Sequence, residues 1–380
     1  MTLEYRYPAV EFLKPKARRR LPHFVWEYLD SGTGAEVTHK RNRTIFEDIK
    51  MMPSILHGPI ESDTRKTLLG KTYDLPFGVA PVGMSGLVWP NAESLLAKNA
   101  HEANIPYCLS TVACQTPEQV GPKAKGNGWF QLYPPRDPDI RRDMLRRVKQ
   151  AGFETLVLTV DLPEASRRER QARGGITHPP VLTARLLAQI ARRPAWAMAT
   201  ALHGRPEMPF VSQYGDASRG LPITEHIGYQ LRTSPDMEYV NWLRDHWQGP
   251  LVLKGIMNHK DVERLEASGV DALWVSNHSG RQFDGALTSL EVLPDIRRAT
   301  KLPIIFDSGV ERGMDILRAL ALGADFVMLG SAWHFALGAL GRQGAAHLTS
   351  ILQKDLIANM GQLGLVDLDD CARCLCSKIT

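Results

Sequence analysis

Short apolar runs rich in β-branched and aromatic residues recur eight times along this chain of 380 residues, and most are followed by a stretch with helical spacing. The runs are 77–81, 106–110, 129–132, 155–159, 251–254, 272–276, 303–307 and 325–330. Unbroken apolar runs of this length fit strands buried on both faces, as in a parallel sheet. Between them, 92–103, 140–151, 261–268 and 313–322 repeat apolar positions every three to four residues and are each followed by Asn or Gly, a common helix stop. Eight strands alternating with helices predict a TIM (β/α)8 barrel, because a doubly wound sheet usually uses fewer strands. The expected organisation is one domain, 1–380, with an N-terminal helical extension and an insertion or lid at about 170–228, after the fourth strand.

In such a barrel, chemistry gathers where strands end and run into helices. Those positions here carry Pro81, Val82 and Gly83, then Ser110, Gln131 and Tyr133, Thr159 and Asp161, Lys254, Ser276, Asp307 and Gly330. The sixth run opens into Ser276-Asn-His-Ser-Gly-Arg-Gln-Phe-Asp-Gly285, which sets His278 three residues before Arg281. A general base beside a fixed guanidinium suits chemistry on a small carboxylic acid: the arginine grips the carboxylate bidentately while the histidine takes a proton. An isolated pair of this spacing also fits an exposed polar turn. Glycines after the last two strands, in 307–313 and 329–332, fit either tight turns or a phosphate cradle of backbone N–H groups at helix N-termini.

Composition and charge narrow the picture. The chain is 43% hydrophobic and 23% charged, an ordinary globular balance. It has no apolar run of spanning length and no visible secretory signal, and its five cysteines are sparse, so a reduced cytoplasmic setting is expected. The Cys371/Cys374/Cys376 group reads as a loose tail. The net charge of +5 is concentrated: residues 170–206 hold six arginines and no acid, and without those six charges the chain would carry −1. In that segment Leu182, Leu186 and Ile190 share one helical face, with Arg185, Gln189, Arg192 and Arg193 opposite and Trp196 close by. Such a helix suits an anionic membrane surface, or a lid or subunit contact. Basic residues without interleaved aromatics give no support to a nucleic-acid partner.

Taken together, Ser276–Gly285, Leu158-Thr-Val-Asp161, Trp129-Phe-Gln-Leu-Tyr133, Leu109-Ser-Thr-Val112, Asp307-Ser-Gly-Val310 and 319–325 resemble the FMN-dependent α-hydroxy acid oxidases and dehydrogenases, over nearly the whole chain and most closely the L-lactate and mandelate dehydrogenases. The resemblance implies a base at His278 oriented by Asp161, substrate contacts from Tyr28, Tyr133, Arg168 and Arg281, and Lys254 at the flavin pyrimidine. It further implies that Pro81, Val82, Gly83, Ser110, Gln131, Thr159 and Ser276 line the flavin. Asp307, Ser308, Gly309, Val310, Glu311, Arg312, Gly330 and Ser331 would surround its phosphate. The implied reaction is oxidation of an L-2-hydroxy acid to the 2-oxo acid, with L-lactate expected ahead of mandelate.

Three departures from the family pattern stand out. Ser279 replaces a glycine in the His278 loop, and Glu311 and Ser331 replace two arginines at the phosphate, so Arg312 and backbone N–H groups are expected to hold FMN less tightly. Gly83 and the basic insertion favour a dehydrogenase peripheral on the inner face of the cell membrane and passing electrons to quinone; a homo-oligomer, a homotetramer for example, is also expected. The competing readings are an oxygen-using oxidase, a lyase or aldolase with a Schiff base on Lys254, a flavin isomerase and a cofactor-free scaffold.

Overall fold

The computed structural model describes residues 2–175, 177–178, 181–215, 221–222 and 231–376. Its centre is a closed barrel of eight strands. We number them β1 (Phe77–Val79), β2 (Tyr107–Ser110), β3 (Gly128–Leu132), β4 (Thr155–Thr159), β5 (Leu251–Ile256), β6 (Ala272–Val275), β7 (Ile304–Phe306) and β8 (Phe326–Leu329). Every neighbouring pair is parallel, and β8 closes onto β1. The eight runs read from the sequence are therefore the eight barrel strands.

The strands are apolar on both faces because both faces are covered. Inside the barrel, Cys108, Trp129, Val157, Val252, Trp274, Ile305, Phe326 and Met328 form one cluster, with Trp129 and Trp274 meeting edge to face at 6.4 Å. Outside, the other strand faces and the surrounding helices share a second, larger core. A short antiparallel hairpin, Lys66–Leu68 with Lys71–Tyr73, closes the N-terminal end, placing Leu68 and Tyr73 against the interior cluster. Three-residue strands carry too little periodicity to be found by pattern alone.

Strand register assembles the opposite, C-terminal end. Ser110 pairs across from Gln131, and Thr159 from Lys254. Between β5 and β6 the register slips by one residue, because Gly255 is an extra residue with φ +111°. A side chain there would lie 2.6 Å from Cβ of Asp161, so the bulge needs glycine to bring β5 against the loop after β4.

Three helices of the N-terminal extension matter to the site: α1 (Val10–Arg20), α2 (His23–Asp30) and α3 (Val37–Thr44). The insertion after β4 contributes α4 (Ala184–Ala191) and α5 (Pro194–His203). Residues 176, 179–180, 216–220 and 223–228 of the expected lid lie outside the described residues. The helix α6 (Ser331–Leu340) follows β8 and packs broadly on α1.

Two expectations change here. The inner face of α4 carries Leu186, which is buried, and Gln189, whose Oε1 accepts the backbone N–H of Phe24 at 2.9 Å. Arg193 donates to the carbonyl of Leu21. Gln189 and Arg193 thus face the protein, because helix-end carbonyls and amides of α2 and its approach need partners. Trp196 is buried edge-on to Phe24, with Nε1 donating to the carbonyl of Leu87, so it anchors the insertion to the barrel and is closed to any membrane. Nor is the C-terminal segment loose: Leu368–Cys374 is a 3-10 helix with Cys371 and Cys374 buried, and burial pushes the Cys371 thiol up to about 12.

Candidate active site

The C-terminal mouth of the barrel opens into a broad cavity. Of the residues expected to form the site, Tyr28, Pro81, Val82, Gly83, Tyr133, Arg168, Lys254, His278, Arg281, Asp307, Ser308, Gly309, Val310, Gly330 and Ser331 line it. Ser110, Gln131, Thr159 and Ser276 are buried at the strand ends beneath. Asp161 stands behind His278. Glu311 and Arg312 are not on the cavity wall: Glu311 pairs with Lys14, and exposed Arg312 reaches Glu11 at 2.9 Å. Their side chains leave the loop on the side facing α1, so the expectation that they line the phosphate end fails for these side chains.

His278 leaves β6 in the left-handed region, with φ +55°, and Ser279 and Gly280 follow at +56° and +68°. Two non-glycine residues in this conformation cost about 1–2 kcal/mol each. The surroundings hold them there. Nδ1 of buried His39 bonds the carbonyl of Ser279 at 2.7 Å, the Ser279 N–H donates to Oγ of Ser308, and Thr33 N–H donates to the Gly280 carbonyl. The turn directs the imidazole back over the strand end.

Nδ1 of His278 lies 3.3 and 3.2 Å from the two carboxylate oxygens of Asp161. Burial lowers the histidine below its ordinary range, and the cations Lys254 and Arg168 add to this against the pull of Asp161. Asp161 stays ionised: burial pushes it up, but the imidazole and Lys254 hold it below the usual carboxylate range. The result is a neutral imidazole whose Nδ1–H is fixed by a carboxylate, leaving Nε2 unprotonated.

Arg281 is also held. Its Nη2 donates to the carbonyls of Tyr28 and Leu29 at 3.2 and 2.5 Å, and Nε donates to Ser31 at 3.2 Å. These are carbonyls at the C-terminal end of α2, the orphan acceptors of a helix end. Only Nη1 remains for a ligand, so Arg281 offers one nitrogen to a carboxylate and not the two-nitrogen fork its sequence position suggested. Burial and neighbouring Arg168 lower it to about 10, which leaves it charged at neutral pH. Arg168 lines the same cavity and is buried, with Nε donating to Ser166.

On the other side of His278, Lys254 Nζ donates to Ser276 Oγ at 2.6 Å and pairs with Asp307 at 2.9 Å. Ser110 donates to Oε1 of Gln131 at 2.9 Å, while Nε2 of Gln131 is buried with no partner. Tyr28 OH donates to the Gly83 carbonyl at 2.6 Å. Sequence reasoning missed His39, Asn42 and Arg43 of α3 and Gln171, which also line the cavity. They lie on short polar helices far from the strand ends in sequence, and no motif marks them.

The sequence matches the FMN-dependent dehydrogenase family over residues 17–378. The chain belongs to that family.

Among its relatives, an L-lactate dehydrogenase from Caulobacter sp. (strain K31) is 37% identical over 366 residues, covering 95% of this chain and 96% of the relative. Another from Haemophilus influenzae (strain PittEE) is 39% identical over 346 residues, 90% of each chain. The crystal structure of the monotopic membrane protein (S)-mandelate dehydrogenase superposes with a TM-score of 0.91 at 31% identity, covering 98% of this chain and all of that one. A mandelate oxidase with benzoyl-formic acid gives 0.82 at 30% identity, covering 98% and 99%. The cavity suits FMN. A long polar wall runs from Lys254 to the glycine-bearing ends of β7 and β8, and the unpaired Gln131 amide supplies a buried donor for a ring oxygen.

Proposed function

We propose that this enzyme oxidises L-lactate, or a closely related L-2-hydroxy acid, to the 2-oxo acid, and that it passes the electrons to a membrane quinone. The carrying observation is that neutral His278, backed by Asp161, shares one cavity with two buried arginines, Arg168 and Arg281. Nη1 of Arg281 and the Arg168 guanidinium would bind the carboxylate. Tyr133 would donate to a remaining substrate oxygen, and Tyr28 would do so by turning its O–H away from the Gly83 carbonyl. The reaction removes two protons and two electrons, and FMN, when bound, would accept the electron pair together with one of the protons. His278 Nε2 takes one proton, from the hydroxyl if the carbon gives up hydride and from the carbon otherwise. Asp161 stabilises the imidazolium formed. Lys254, held by Ser276 and Asp307, places a positive charge at the β5 strand end where the pyrimidine edge of the cofactor would lie.

The substrate handedness and preference rest on the names of the relatives, L-lactate and (S)-mandelate enzymes. The membrane reading rests on the monotopic neighbour and on the outer face of the insertion, where Val181, Leu182, Leu187, Met198 and Leu202 are exposed beside Arg185 and Arg192. Among the described residues no helix is long and apolar enough to cross a membrane, so attachment would be to one face. A homo-oligomer belongs to the same reading. The test is the visible spectrum of purified protein under anaerobic conditions, recorded before and after L-lactate and then mandelate. Bleaching by L-lactate and rapid reoxidation by a quinone analogue are expected. Flavin that bleaches with neither acid overturns the substrate, and faster reoxidation by dioxygen than by quinone overturns the acceptor. Borohydride trapping of substrate on Lys254 would favour the lyase reading instead.

A further inference from the structure

The cavity has two ends, and their cations are distributed unevenly. Arg168 and Lys254 act electrostatically on His278, and Arg168, with more distant Arg43, on Arg281 in the next turn of the same loop. The far end is built from Ser308, Gly309 and Val310 after β7 and from Gly330 and Ser331 after β8. Glycine-bearing strand ends that lead into helices are where barrels hold phosphate. At that end the wall includes one further arginine, Arg43, from α3 of the N-terminal extension. Contact between the two elements is close: a side chain at Gly309 would lie 1.9 Å from the carbonyl of Asn42. Arg43 therefore sits directly beside the loop that bears the glycine.

Arg43 is weakly held. Its Nε lies 3.4 Å from Glu311 Oε1 and its Nη2 3.4 Å from Asp30 Oδ1, both long for a charge-assisted hydrogen bond. Glu311 is gripped much more closely by Lys14 from α1, which reaches both carboxylate oxygens at 2.5 Å. Glu311 thus stands between two cations, tightly paired with Lys14 and loosely with Arg43. Arg312, the cation nearest in sequence, is engaged with Glu11 at the surface.

We propose that Arg43 is the side chain that meets the phosphate of FMN, and that Glu311, held by Lys14, tempers its positive charge and so sets how tightly the cofactor is kept. This rests on FMN being the cofactor, as the family implies. A phosphate entering beside Ser308–Val310 takes the guanidinium from its two long contacts, and Lys14 stays with Glu311, so no carboxylate is left unpaired. Asp30 retains Arg170, which donates to it at 3.4 Å while pairing with Glu27 and Glu36.

The experiment compares FMN with riboflavin, which lacks the phosphate. Purified holoenzyme is diluted and the rise of free-flavin fluorescence gives the FMN Kd; added riboflavin then gives its own Kd by displacement. Arg43→Gln is expected to weaken FMN by about 10- to 100-fold, the range for losing one charge-assisted contact, and to leave riboflavin unchanged. Arg43→Lys should recover part of the difference, and Glu311→Gln should tighten FMN severalfold without affecting riboflavin. Equal weakening of both flavins in Arg43→Gln, with Arg43→Lys no better, would mean that Arg43 only supports the fold. An unchanged FMN Kd in Arg43→Gln, or a weaker one in Glu311→Gln, overturns the proposal outright. Wild-type protein that retains neither flavin overturns the FMN reading itself, a separate result.

Discussion

Arg281 donates from Nη2 to the backbone carbonyl of Leu29 at 2.5 Å, joining the loop after β6 to the C-terminal end of α2. One guanidinium therefore satisfies a helix end and leaves a single nitrogen for the substrate. Lysine, a point donor on a flexible stem, cannot do both. Arg281→Lys is expected to raise KM for the hydroxy acid by about 10- to 100-fold, as for loss of a charge-assisted contact, and to lower the melting temperature. Steady-state kinetics and a thermal melt on the same preparation check both effects. An unchanged melting temperature would deny the tie to α2.

As the proposed base His278 must be neutral, and burial lowers it below its ordinary range. kcat/KM should therefore climb as pH rises through a value under about 6.5 and be flat at neutral pH. Asp161→Asn removes the charge that favours the imidazolium, so its rate should fall by about 10²-fold or more, within the range for impaired general base catalysis. A pH–rate profile of wild type and Asp161→Asn tests this. A limb that falls only below pH 6.5 in the wild type and an equal rate in the variant cannot both hold if Asp161 assists.

Acid should destabilise the protein through its buried histidines. His334, enclosed between Ser85 Oγ at 2.7 Å and the Gly330 carbonyl at 2.9 Å, is lowered by burial to about 4, and His39 and His278 are lowered too. Between pH 6.5 and 4 the unfolded chain binds more protons than the native one, so stability falls as pH drops, by about 3 kcal/mol for His334 alone once pH is below 4. Melting temperatures from pH 7.5 down to 4.5 should decrease, and His334→Gln should flatten the curve. A steeper curve in that variant would contradict the assignment.

Gly83 carries the acceptor for Tyr28 and has no room for a side chain. A Cβ there would stand 2.7 Å from Val112 Cγ2 and 3.4 Å from Tyr28 OH. Gly83→Ala should cut kcat/KM by about 10-fold, whereas Gly83→Ala with Val112→Ala should recover most of it, the coupling expected for residues in contact. If the double variant is as slow as the product of the singles, the clash is not the cause.

The outer face of the insertion is tested by charge. Met198→Glu with Leu202→Glu, at positions 67% and 80% exposed, should abolish co-sedimentation with anionic phospholipid vesicles while leaving turnover with a soluble acceptor within about twofold, as surface changes away from the site usually do. Persistent binding would locate the membrane contact elsewhere.

Much of this enzyme follows from local sequence. Eight apolar runs and their helix stops specify the barrel, because a strand covered on both faces has to be apolar throughout. His278, Asp161 and Lys254 could be named because barrel chemistry sits at strand ends, whose position in sequence is known once the strands are, whereas Arg168 was named only through the family resemblance. Tertiary packing decided what local pattern cannot encode. The slip at Gly255, the helix-end carbonyls that take two arms of Arg281, the inward turn of Gln189 and Trp196, and the arrival of His39 and Arg43 from α3 all depend on elements distant in sequence. Helical periodicity says which residues share a face but not which face meets the protein. Charge along the chain likewise shows that Glu311 and Arg312 are adjacent, whereas only the folded backbone turns both side chains toward α1 and puts Arg43 on the cavity wall.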